Sequence, residues 1–318
     1  MTNVLHIDYW DLVSRSIRTA WKYKFLWFFG FFASSGGGNG NFGNWGDDGG
    51  EWIRDFIYMH PVAVVLIVMG AVVLGLAFLV MNIICTGGLI RSTSGANRGQ
   101  PISFSQTWRA GLHTFWRILG TTVLAILTVL VVTALCGIPV VLSLLGGAPG
   151  IVIAVLIGAI LFLPYIAFLF LLAFTVLYAE REIVLKDAAV FDALRTGWEL
   201  TKKHFWKSMM VWLVMFLSGL IFALGLVISL LILAIPFVIV GMMNVFVALL
   251  LGIPVGLAFI FLASGAVTTY SYSVWTLAYE KLSGFAPGFV SGASPAPGDT
   301  MTWEPDPGPT GSDAQGEF

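Results

Sequence analysis

The residues able to do chemistry are few, and they are spaced unfavourably for it. Asp, Glu, Lys and Arg are absent from 56–90, 118–179 and 208–279. No charged group therefore stands where a proton relay or a charged pore would need one. Those stretches hold only neutral polar groups: Asn82, Thr121, Thr122, Thr128, Thr133, Ser143, Tyr165, Thr175, Ser218, Ser229 and Ser264, with Asn244 at a turn edge. Such groups usually bond a neighbouring helix or their own preceding turn. Pro139, Pro164, Pro236 and Pro254 read as tolerated kinks or turn residues before they read as helix breaks around a neutral substrate. His6, His60, His113 and His204 lack metal-ligand spacing. Cys85 and Cys136 fall at different depths, too far apart for a disulfide, and read as two small buried residues. The Gly-x-Ser-x-Gly, His-Glu-x-x-His and Cys-x-x-Cys patterns are absent. No catalytic, cofactor-binding or metal-binding residue is named, and the expectation is a protein that is not an enzyme.

The elements around these residues are legible. Of 318 residues, 58% are hydrophobic and 10% charged, and each uncharged stretch exceeds the roughly 20 apolar residues that cross a bilayer. The expected fold class is all-α, a polytopic integral membrane protein with six transmembrane helices. The expected spans are a short first crossing from Phe25 to about Gly38, then Pro61–Cys85, Ile118–Leu145, Ile151–Tyr178, Ser208–Ala234 and Val245–Tyr270. A tight turn is expected over Ile235–Asn244, and Arg91 and Arg98 are expected in a connector. Ser34–Glu51, with its eight glycines, Asp47, Asp48 and Glu51, reads as a flexible polar loop. Asp8 and Asp11 open the chain where a signal peptide would be basic. The tail 284–318 is acidic, rich in Pro and Gly, and expected to be disordered.

Three segments between the spans combine basic and aromatic residues. In the first, Tyr9, Val13, Ile17, Trp21, Phe25 and Phe28 fall at helical spacing beside Arg15, Arg18, Lys22 and Lys24. In the second, Ser103 and Gln106 make a capping box, and Phe104, Trp108, Leu112 and Phe115 form an apolar face. The third is 191–207. Each reads as an amphipathic elbow helix at the cytoplasmic surface, with Trp and Phe at headgroup level and Lys and Arg in water. The membrane-interface candidates are Trp21, Trp27, Trp108, Phe115, Trp116, Arg117, Trp198, Phe205, Trp206 and Lys207. With six crossings, 15 of 16 Lys and Arg residues share one side and only Arg54 lies on the other. The positive-inside rule makes that side the cytoplasm and places both termini there.

Trp108 and Trp198, Phe115 and Phe205, Trp116 and Trp206, and Pro164 and Pro254 are each 90 residues apart. That offset suggests a three-fold internal repeat over 8–100, 101–188 and 189–283, within one membrane domain spanning 1–283.

The stretches Ala193-Leu-Arg-Thr-Gly-Trp-Glu-Leu-Thr-Lys-Lys-His-Phe-Trp206 and Arg98-Gly-Gln-Pro-Ile-Ser-Phe-Ser-Gln-Thr-Trp108 resemble the membrane domains attached to some glycerophosphoryl diester phosphodiesterases, and related free-standing bacterial membrane proteins. The resemblance covers most of 8–283. It implies a six-helix module of the bacterial plasma membrane with no established activity of its own. It does not imply phosphodiesterase chemistry, which would need a separate barrel of about 250 residues. The expected partners are anionic membrane lipids at the cytoplasmic face and an unidentified protein, with no nucleic acid. The competing expectation is a permease or flippase for a neutral or lipidic substrate.

Overall fold

The computed structural model describes residues 9–34 and 57–284. The Ser34–Glu51 loop beyond Ser34, the acidic tail, Asp8 and Arg54 lie outside the described residues. Seven helices have described bounds: α1 Tyr9–Lys22, α2 Leu26–Ser34, α3 Pro61–Asn97, α4 Phe104–Leu144, α5 Gly147–Lys186, α6 Val190–Met243 and α7 Val245–Ser283. No strand occurs among the described residues. Five helices, α3 to α7, are long and apolar enough to cross a membrane. The described part of the first expected crossing is the nine residues of α2, about 13 Å of helix.

Helix ends follow local chemistry. Ser103 and Gln106 form the capping box at the start of α4, and Pro61 sits in the first turn of α3. Gly147, at φ 70°, lets the chain reverse within two residues between α4 and α5, because no Cβ opposes the left-handed conformation. Asn244 caps α7 by accepting from the Phe246 and Val247 amides.

The connections differ from expectation in three places. The expected turn over Ile235–Asn244 is instead the last part of α6, with Pro236 inside the helix. Neighbouring structure in an apolar setting tolerates the missing donor. Arg91 belongs to α3 instead of a connector. The second and third basic-aromatic segments are the first turns of α4 and α6, interrupted only by non-helical dihedrals at His204. Only α1 is separate: the chain breaks at Tyr23–Phe25 before α2.

At the end carrying most of the basic residues, the helices form a closed ring, each beside the next from α2 to α7, with α7 against α2. Close backbone approach at glycine makes these contacts. Gly30 faces Gly265 across α2 and α7, Gly111 faces the Ile84 carbonyl, and Gly197 faces the Thr175 carbonyl. Thr269 Oγ1 closes the ring by donating to the Leu26 carbonyl at 3.0 Å.

The most deeply buried positions lie beside the apolar stripes and are mostly small. In α1 the buried residues are Leu12, Ser16, Thr19 and Ala20, while Trp21 of the expected stripe is 63% exposed. In α4 they are Thr107, Gly111, Thr114, Ile118 and Thr121, while Phe104 and Leu112 are exposed. In α6 they are Ala193, Gly197, Thr201, Ser208 and Val211. Small residues allow helices to approach closely where apolar exteriors carry no penalty.

Beyond this base the helices spread as three apolar legs. The α4 and α5 legs meet along one seam, on which Val129, Val132 and Cys136 of one helix and Ala154, Leu161 and Tyr165 of the other are less exposed than their outward neighbours. Thr133 and Tyr165 hydroxyls bond across it at 2.8 Å. The α6–α7 leg has a similar seam, where Gly252 meets the Phe237 ring. The outer half of α3 is a leg by itself: Val65, Leu66, Ile67, Val68 and Met69 are each between 56% and 62% exposed.

Candidate functional site

The ten interface candidates fall into two groups. Trp21, Trp116 and Trp206 are exposed, the last two at 76% and 75%. Trp27, Trp108, Phe115, Trp198 and Phe205 are half-buried, as are Arg117 and Lys207. Trp27 lies 5.3 Å from Trp21, centroid to centroid, and its indole N–H donates to the Ala20 carbonyl, bracing the break between α1 and α2. Trp108 packs near Phe29. Phe205 meets Phe174 edge-on, and Lys202 lies over the Trp198 ring. Arg117 is held by Asp187, through both the carbonyl at 2.7 Å and the carboxylate at 3.2 Å. The half-buried residues therefore anchor the base, and three indoles stand free of it.

Inside the base lies a charged hub that the sequence reading did not name. Arg181, Glu182 and Glu280 are 2%, 7% and 7% exposed. Glu182 accepts from the Tyr279 hydroxyl and from Lys186 Nζ at 2.9 Å. Glu280 accepts from Ser94 Oγ at 2.5 Å and Arg98 Nη2 at 3.1 Å. Arg181 Nη1 donates to the Leu177 carbonyl at 2.6 Å. The guanidinium lies 5.7 Å from the Tyr272 ring centre, and its Nε has no hydrogen-bond partner among the described residues. Hydroxyl bonds tie the same helices together: Ser92 with Thr107 at 2.6 Å, Thr93 with Thr276 at 3.3 Å, and Tyr178 with Ser208 at 2.6 Å.

At the rim, burial draws the Asp11 carboxyl up, but Arg15 and Lys281 outweigh that and hold it below the usual range.

These contacts join helices that are distant in sequence: Glu280 of α7 with Ser94 of α3 and with Arg98 just beyond it, and Glu182 of α5 with Tyr279 of α7. The arrangement fixes where three helix ends meet. A signal for it was present in the sequence. Glu180, Arg181 and Glu182 are consecutive on a helix, so their side chains spread over about 200° of its circumference. In a helix with neighbours on several sides they cannot all face water. Among the described residues no group of three His, Cys, Asp or Glu could hold a metal.

The model of a family of unknown function, DUF7544, matches residues 16–280. The chain belongs to that family. The DUF7544 match begins inside α1 and ends near the close of α7, so it takes in the ring, the hub and all three legs. No curated protein matches the chain, and no solved structure matches it.

Proposed function

We propose that this DUF7544 protein is a non-enzymatic integral membrane module that organises anionic lipid, or a protein partner, at the cytoplasmic face of a bacterial plasma membrane. In this reading the chain crosses six times with both termini inside, and the base is the cytoplasmic end. The observation that carries it is the rim. Trp21, Trp116 and Trp206 project at 63%, 76% and 75% exposure, beside Lys22, Arg117 and Lys207. Indoles at headgroup level above basic side chains suit an anionic surface.

The three-fold repeat belongs to the same proposal. Thr107 and Gly197, Gly111 and Thr201, Ile118 and Ser208, and Thr121 and Val211 are all buried, and each pair keeps the 90-residue offset. The likeness to the membrane domains of glycerophosphoryl diester phosphodiesterases is carried as part of the proposal, on the two stretches that suggest it. A permease or flippase has less support. Thr122, Thr128, Ser143, Ser218, Ser229 and Ser264 each donate to a carbonyl three or four residues back, so these hydroxyls are engaged locally.

The test is lipid retention in nanodiscs of matched zwitterionic and phosphatidylglycerol-rich composition. Replacing Lys22, Arg109, Lys203 and Lys207 by Ser is expected to weaken the preference for anionic lipid, by about fivefold per residue that reaches the surface. An unchanged preference in a correctly folded variant would remove the headgroup reading.

A further inference from the structure

The legs above the base present apolar surface on every side that their own seam does not cover. Successive residues on a helix point about 100° apart. The five exposed positions Val65–Met69 therefore face all directions around α3. A second helix laid against α3 would cover one face of it and leave the rest open. The same holds for the two hairpin legs, where Leu130 and Leu163 are 60% and 76% exposed on opposite partners of one seam.

Among the described residues these surfaces carry few polar groups for a protein partner to grip. Thr128 donates to the Leu124 carbonyl at 2.8 Å, Ser229 to the Gly225 carbonyl at 2.7 Å, and the Thr133 and Tyr165 hydroxyls bond each other, a local satisfaction common for helical hydroxyls. Asn82 is likewise turned inward, donating to the Phe32 and Ala33 carbonyls at 2.8 and 2.9 Å. Below the legs stands the basic and aromatic rim, which complements a phosphate headgroup in charge and depth.

We infer that phospholipid acyl chains enter between the three legs, so that the protein surrounds lipid above its base and does not close into a six-helix bundle. This rests on the membrane-module reading, but not on its preference for anionic headgroups. Fluid chains can coat a helix on all sides at once, which a rigid partner cannot.

The experiment uses the full-length protein in phosphatidylcholine–phosphatidylglycerol nanodiscs. Nitroxide labels are placed singly at 65, 66, 67, 68 and 69 in a Cys85→Ala/Cys136→Ala background, and collision with oxygen and with a polar nickel chelate is measured. High oxygen accessibility at all five positions is expected, with no periodic variation around the turn, together with low accessibility to the chelate. A dip repeating with the helical period would overturn the proposal: a second copy, another protein or residues 35–56 would then cover one face. High chelate accessibility would overturn it in favour of a water-filled space. Unmodified protein gives an independent measure through lipids with a photoreactive group in the acyl chain. Adducts spread over consecutive residues of 61–80 are expected, and adducts confined to one face would refute the idea. Both readouts are expected to survive neutralisation of the rim, which separates this proposal from headgroup recognition.

Discussion

At the scale of single residues, the hub stabilises the fold by satisfying charges that would be costly unpaired. Tyr279→Phe leaves Glu182 without one of its two donors while keeping the ring. A loss of about 1–3 kcal/mol is expected, read as a lower unfolding temperature in detergent. Asn82→Leu tests a different debt. Asn82 donates to the Phe32 and Ala33 carbonyls of α2, and its loss should cost about as much. Asp11 supplies a pH dependence. Its carboxyl is held below the usual range by Arg15 and Lys281, so the native state binds that proton less tightly than the unfolded chain. The stabilisation is present above the unfolded pKa and disappears as pH falls through the folded one. Asp11→Asn should therefore flatten the acid limb of the stability profile by lowering stability at neutral pH while leaving the strongly acidic end unchanged, and the drop should be small because the pair is partly exposed.

At the scale of elements, glycine decides which helices touch. A Cβ at Gly111 would run into the Ile84 carbonyl, whereas one at Gly70 would meet nothing within 4 Å. Gly111→Val should separate α3 from α4 and sharply reduce the yield of folded protein. Gly70→Ala should be neutral or slightly stabilising, by up to about 1 kcal/mol from helix propensity. If the two variants behaved alike, close packing would not be what joins the ring. The elements also show what the amphipathic faces left open. Of the apolar face of α4, Trp108 and Phe115 pack against the base while Leu112 is exposed, and the closest contacts are made by Thr107, Gly111 and Thr114 beside it. Nothing in the periodicity of one helix tells which part of its apolar face a neighbour will cover.

At the scale of the molecule, the N-terminal helices close the ring. α2 seats its Gly30 against Gly265, Leu26 accepts from Thr269, and α1 places Asp11 beside Lys281 at 3.3 Å. Removing residues 1–34 should open the ring between α3 and α7. The unfolding temperature should then drop by more than any single hub substitution produces, as a thermal scan of the two chains in one detergent would show. The sequence alone determined that the chain is helical and built for a membrane, because length and apolarity suffice to decide what can cross. It also marked the capping box at Ser103. Only the tertiary structure decided which faces pack, that Glu182 and Tyr279 meet across 97 positions of sequence, and that the outer helices stand apart as legs. Those outcomes depend on pairwise approach between distant segments, and approach is set by small side chains and shared hydrogen bonds, which leave no periodic trace in composition.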